Sequence, residues 1–165
     1  MQRFALICAL LAAACGPGSP GGPNMNNKLG VQPYEAPASS VISSDILARE
    51  PVANRANVKH ILISWEALGE AFGGRQDPRA QKRSMPQAEA EIKALLGQLK
   101  AGGDFDALMR DNSEDVGSAQ SGRPFEVTPD AQLVIEFRQL SLRLNPGEYG
   151  VCQSEFGFHI IKRID

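Results

Sequence analysis

Cysteine and histidine are scarce in this chain, aromatic side chains make up only 6% of it, and neither sign of charge dominates. Of the three cysteines, Cys8 and Cys15 fall in the first fifteen residues, which leaves Cys152 alone in the part rich enough in apolar residues to fold. An internal disulfide of the folded part is thereby excluded, and Cys152, with no His or Asp motif beside it, reads as a small core packer. No Cys/His cluster has zinc-ligand spacing, so no metal is expected. A net charge of −2 and a pI near 5.7 leave no basic excess to draw in nucleic acid or an anionic surface as the chief partner. Long apolar runs are also missing: Phe4 to Leu11 is far short of the roughly 20 residues that a membrane-spanning helix needs.

What is present divides the 165 residues into three parts. Met1 to Ala14 has a short charged start at Arg3, an apolar run and the small residues Ala12-Ala13-Ala14 before Cys15, the pattern of an export signal. A cysteine directly after such residues resembles the lipobox of bacterial lipoproteins, with Ala12 where that family prefers leucine. The resemblance implies cleavage before Cys15, acylation of its thiol and attachment to a membrane; the alternative is an ordinary cleaved signal with an incidental cysteine. Gly16 rather than Asp after Cys15 favours the outer membrane by analogy with enteric lipoproteins. Residues 15–55 are rich in Gly, Pro, Asn and Ser and poor in large apolar groups, so they are expected to form a flexible tether, with one helical turn between Val41 and Leu47. Residues 56–165 remain for one small domain, expected to be a monomer.

Within that domain, Val58 to Trp65 is a dense apolar and β-branched run with the character of a strand buried on both faces. After a charged, irregular stretch, Ser84-Met85-Pro86-Gln87 supplies a capping box, and Ala88, Ile92, Leu95 and Leu99 follow at helical spacing until Gly102-Gly103. Asp104 can cap a shorter helix carrying Phe105, Leu108 and Met109. Thr128-Pro129-Asp130 is expected to start another, with Leu133, Phe137 and Leu140 on its inner face. Tyr149 to Ser154 and Phe158 to Ile164 close the chain as a hairpin. The order is β-α-α-α-β-β.

This order, together with Val58-Lys59-His60-Ile61-Leu62, Lys100-Ala101-Gly102-Gly103-Asp104-Phe105, Ser113-Glu114-Asp115 with Ser118-Ala119, Leu144-Asn145-Pro146-Gly147-Glu148 and Phe156-Gly157-Phe158-His159-Ile160-Ile161, resembles the parvulin-type peptidyl-prolyl cis/trans isomerases. The resemblance implies an α+β fold: a four-stranded antiparallel sheet wrapped by three to four helices, with the first and last strands central. It also implies a site, in which Phe125, Leu133 and Phe137 form an apolar slot for proline and His60, Asp115, Ser154 and His159 form a polar cluster beside the twisting bond. Proline-containing polypeptides would be the substrates, and no cofactor is needed because no bond is broken. One stretch departs from the family: Gln120 to Glu126 replaces the usual glycine-rich turn and its leucine, with Pro124 and the bulkier Phe125 at the rim.

The residues support the cluster independently. Both histidines lie in otherwise apolar strands, where an unpartnered imidazole is costly, and neighbouring strands would let them bond to each other. The competing function is a holding module that binds extended segments with little turnover. Finally, Arg75, Arg79, Lys82 and Arg83 gather after the first strand, where a parvulin subfamily clamps phosphate; here the expected reading is a solvated loop.

Overall fold

The computed structural model describes residues 39–165; the expected export signal, Cys15 and the first part of the tether lie outside the described residues. Four strands form one antiparallel sheet: β1 (Ala56–Ile63), β2 (Phe125–Val127), β3 (Tyr149–Ser154) and β4 (Gly157–Arg163), in the spatial order β2-β1-β4-β3. The first and last strands are central, as the resemblance implies. They are the longest and most apolar, and burial on both faces follows from that composition. Gly157 allows the tight entry into β4. Its φ of 135° suits glycine, and a Cβ there would lie 2.5 Å from the Ile63 carbonyl oxygen.

Among the described residues, five α-helices surround the sheet, α1 (Ser44–Leu47), α2 (Met85–Lys100), α3 (Phe105–Asn112), α4 (Val116–Ser121) and α5 (Ile135–Ser141), with 3-10 turns at Glu66–Phe72 and Ala80–Lys82. The starts of α2 and α3 carry the expected chemistry. The Ser84 amide donates to Gln87 Oε1 at 2.8 Å, and Asp104 Oδ1 accepts from the Ala107 amide at 2.7 Å. Ala88, Ile92, Leu95, Leu99, Phe105 and Met109 pack with Ile61, Ile63, Val151, Phe158 and Ile160 on one face of the sheet. On the other face, α5 brings Phe137 and Leu140 against Val58, Cys152 and Ile161.

Helix α4 and strand β2 stand in addition to the order read from the sequence, and two stretches differ from expectation. The helix expected from Thr128 begins only at Ile135, because residues 128–133 close turns instead: Ala131 donates to the Thr128 carbonyl and Leu133 to that of Ala131. The stretch from 39 to 55, expected as the end of the tether, packs on the domain. Val41 and Ile46 are buried, and Ser43 both donates to and accepts from Val151 on the edge of the sheet, each bond at 2.9 Å. Gly150 makes the seat, since a Cβ there would stand 3.1 Å from Ile46 Cδ1 and 3.2 Å from Leu140 Cδ1. Two apolar knobs suffice when the receiving surface is already formed.

Candidate active site

The site grows from the pairing of the two central strands. His60 lies opposite Ile161 and His159 opposite Leu62, so the histidines are diagonal neighbours on one face; Ser154 is likewise diagonal to His159 across β3 and β4. Their side chains connect. His60 Nδ1 is 3.2 Å from His159 Nδ1, His159 Nε2 is 2.8 Å from Ser154 Oγ, and His60 Nε2 is 2.9 Å from Asp115 Oδ2. With both rings neutral, the protons fall in one consistent order: Ser154 donates to His159, His159 to His60, and His60 to the Asp115 carboxylate.

Asp115 serves two masters. Its Oδ1 accepts from the Ser118 amide at 3.2 Å and so caps α4, while its Oδ2 receives both His60 and the Ser118 hydroxyl. These bonds, that from His60 foremost, hold the carboxyl well below the usual carboxylate range. His159 is shifted the other way in charge preference: burial above all, and then the neighbouring His60, pull its pKa down to about 3, so the ring stays neutral. Burial also pushes the Cys152 thiol up, which matches a packing role.

Above this polar chain stand the aromatic rings. The His60 ring meets Phe137 edge-on with centroids 5.1 Å apart, and Phe125 at 5.3 Å; Phe125 and Phe137 meet at 5.8 Å. Phe137 is buried, whereas Phe125 and Leu133 are half-buried and face a cavity of about 260 Å³ that reaches His60, Asp115 and His159. Every site residue expected within the described residues thus borders this cavity, except Ser154, which touches it through His159. Cys15 lies outside the described residues.

Sequence reasoning missed several neighbours. Phe156, which the sequence marks only through its place in the closing motif, lines the same cavity and meets Phe72 edge-on at 5.4 Å. A second hollow of about 310 Å³ lies on that side, bordered by Leu62, Phe72, Val116 and Phe156. Ser118 was read only as part of a motif, though a serine three residues after Asp115 is the signal of a capped helix start. The departing loop forms an outer rim: Arg123 and Pro124 border a hollow of about 480 Å³ that runs from Asp115 and Phe125 along α4.

The arrangement has relatives. A profile of the PPIC-type PPIASE domain matches residues 44–165. The chaperone SurA of Cupriavidus pinatubonensis is 35% identical over 130 residues, covering 77% of this chain and 22% of that protein. The periplasmic chaperone PpiD of Escherichia coli is 35% identical over 79 residues, covering 48% of this chain and 13% of that protein. The chain therefore spans less than a quarter of the length of either. The peptidyl-prolyl isomerase ESS1 from Candida albicans shares the fold, with a TM-score of 0.57 over 68% of this chain and 63% of that one at 18% identity. With a match that begins in α1 and runs through every strand of the sheet, the chain belongs to the PPIC-type peptidyl-prolyl isomerase domain family.

Proposed function

We propose that this chain accelerates cis/trans rotation about X-Pro bonds in exported polypeptides, as a folding catalyst of the cell envelope. The observation that carries the reading is the hydrogen-bonded chain from buried Ser154, His159 and His60 to half-buried Asp115, ending beneath an apolar slot walled by Phe125, Leu133 and Phe137. Rotation about a peptide bond is opposed by a barrier of about 18 to 20 kcal/mol that comes from amide resonance, and crossing it breaks no covalent bond. An apolar slot that grips the proline ring fixes one side of the bond. The ordered dipoles of the histidines and the Asp115 charge then give the twisted amide, which has lost resonance, surroundings that suit it better than the planar form. Because those dipoles are locked by one another, little reorganisation is needed during the turn. His60 and Asp115 would be the groups at the bond, with His159 and Ser154 orienting His60. Proton transfer is not part of the step.

NMR exchange on an Ala-Pro peptide tests this. Catalysis is expected in the wild type and strongly reduced in Asp115→Ala; an exchange rate equal to the uncatalysed one would leave only a binding module.

The envelope location is supported by the export pattern before Cys15 and by the periplasmic name of one relative. We assign Cys15 as a lipidated N-terminus that holds a monomer at the outer membrane. In Cys15→Ser the acyl groups are expected to vanish from the N-terminal mass spectrum while the domain stays folded. Cleavage at another residue in the wild type would sink the assignment.

A further inference from the structure

Two of the arginines that follow β1, Arg79 and Arg83, are bonded within the protein. Arg79 donates to the carbonyls of Asn112 at 3.2 Å and Ser113 at 3.1 Å, where α3 ends, and is itself held by Asp77 through Nε at 3.1 Å and Nη2 at 3.0 Å. Arg83 donates to Glu114 Oε1 at 2.5 Å and to the Ser64 carbonyl at 2.9 Å, and its Nη2 pairs with Glu91 of α2 at 2.8 Å. The Glu114 side chain is only 1% exposed, and its other oxygen accepts from the Ser64 amide at 2.6 Å. The backbone completes the grip: the Glu114 amide donates to the Leu62 carbonyl at 2.9 Å, and the Leu62 amide to Ser113 Oγ at 3.1 Å. Everything in this arrangement takes hold of residues 112–114, the segment immediately ahead of Asp115, and ties it to β1, which carries His60.

From this geometry we infer that Arg79, Arg83 and Glu114 are positioning residues of the isomerase: they fix the Asp115 carboxylate on His60, and the two arginines are thereby occupied within the protein rather than offered to a phosphorylated substrate. The inference rests on the function proposed above. Its physical basis is that Asp115 sits at the junction of two short helices, where its own bonds to Ser118 and His60 hold the carboxylate and residues 112–114 set the backbone from which it projects. A buried carboxylate held by a buried guanidinium has no cheaper alternative conformation, because separating the pair would leave both charges without partners away from water. Fork-shaped arginine holds two acceptors in one fixed plane, as both residues do here, whereas the three rotatable donors of lysine impose no such geometry. Arg75 is exposed on the same loop and takes no part in the grip.

The test uses the full chain with Arg79→Met, Arg83→Met, Glu114→Gln and, as the control, Arg75→Met. Two readouts are needed: kcat and KM on Ala-Pro and phospho-Ser-Pro peptides by NMR exchange, and the ring-proton and nitrogen resonances of His60. Displacement of a catalytic group by about an ångström is expected to lower kcat ten- to a hundredfold in Arg83→Met with KM moving less than about twofold, and less severely in Arg79→Met. The His60 Nε2 proton resonance should shift in both, and Arg83→Lys should recover part of each effect. Arg75→Met should match the wild type. Should Arg83→Met fail to fold, Glu114→Gln carries the same test, because it keeps an acceptor for the Ser64 amide. Unchanged His60 resonances in the folded variants would overturn the inference, as would a phosphopeptide preference that Arg79→Met abolishes. The His60 resonances report positioning even without turnover, so shifts in the variants of a wild type that catalyses nothing would reject the proposed function alone.

Discussion

On one face of the sheet Ile61, Ile63, Val151, Phe158 and Ile160 meet α2 and α3 with hydrocarbon, and only at its outer end do Lys59 and Lys162 reach Asp106 and the Phe105 ring of α3. On the other, Val58, Cys152 and Ile161 meet α5 in the same way, but further along the same strands His60, His159 and Ser154 take over. The alternation of side chains in β1, β3 and β4 is identical on the two faces. The difference lies in where buried polarity is admitted: at one end of one face, with every member bonded to the next. A polar network buried in this way is tolerable because the dry face and the far half of the active face hold the strands in register beneath it.

The comparison can be broken most severely from the dry side. Phe158 is fully buried against Trp65, with centroids 5.1 Å apart. Phe158→Ala is expected to cost about 3 to 5 kcal/mol of stability in urea denaturation. A loss below about 1 kcal/mol would mean that this face does not carry the fold.

Phe137→Ala tests the border between the two regimes, since Phe137 packs on the α5 side of the core and also walls the cavity. Its stability loss is expected to be about 3 kcal/mol, with turnover of X-Pro peptides falling further than the folded fraction explains. Melts run alongside the kinetics separate the two. Equal turnover per folded molecule would place the proline slot elsewhere.

Acid should act on the polar end through His159 and Asp115. His159 resists protonation until about pH 3, whereas in an unfolded chain it titrates near 6.5. Between those values the unfolded state binds the extra proton, so stability falls as pH drops through that window. Asp115, held below its ordinary 3.8, adds a further loss below that pH, in the same direction. A His159→Gln variant that shows the same decline from pH 6.5 to pH 4 as the wild type would refute the attribution.

The smallest effect is expected at Cys152, on the apolar half of the active face. Cys152→Ala should cost about 1 kcal/mol and leave turnover unchanged, and protection from thiol reagents in the folded wild type checks the same point.

Strands β1, β3 and β4 and helices α2 and α3 were legible in the sequence because period and capping are local: the run through Val58 and the Ser84 and Asp104 starts needed no distant partner, whereas the three residues of β2 carry no period of their own. Joining His60 to His159 required only that two apolar strands be neighbours. What escaped reading depended on contacts made far along the chain. Val41 and Ile46 look too sparse to fold until Val41 joins the cluster around Val151 and Gly150 offers Ile46 a seat. The arginines look solvated until Glu114 and the end of α3 are brought beside them. Phe156 looks like turn material until Phe72 arrives across the cavity.

The arm from residue 39 to residue 55 also decides how the domain meets a mechanical load. Ser43 is fastened to Val151 of β3, Arg49 forks onto both oxygens of Glu148 at 2.9 Å, and Arg143 at the end of α5 holds the Arg49 carbonyl at 2.7 Å. Tension in the chain ahead of residue 39 is therefore delivered to an edge strand and the loops beside it. β4 stands between that edge and β1, so the load path is spent on bonds at the rim before it reaches the contact between His60 and Asp115.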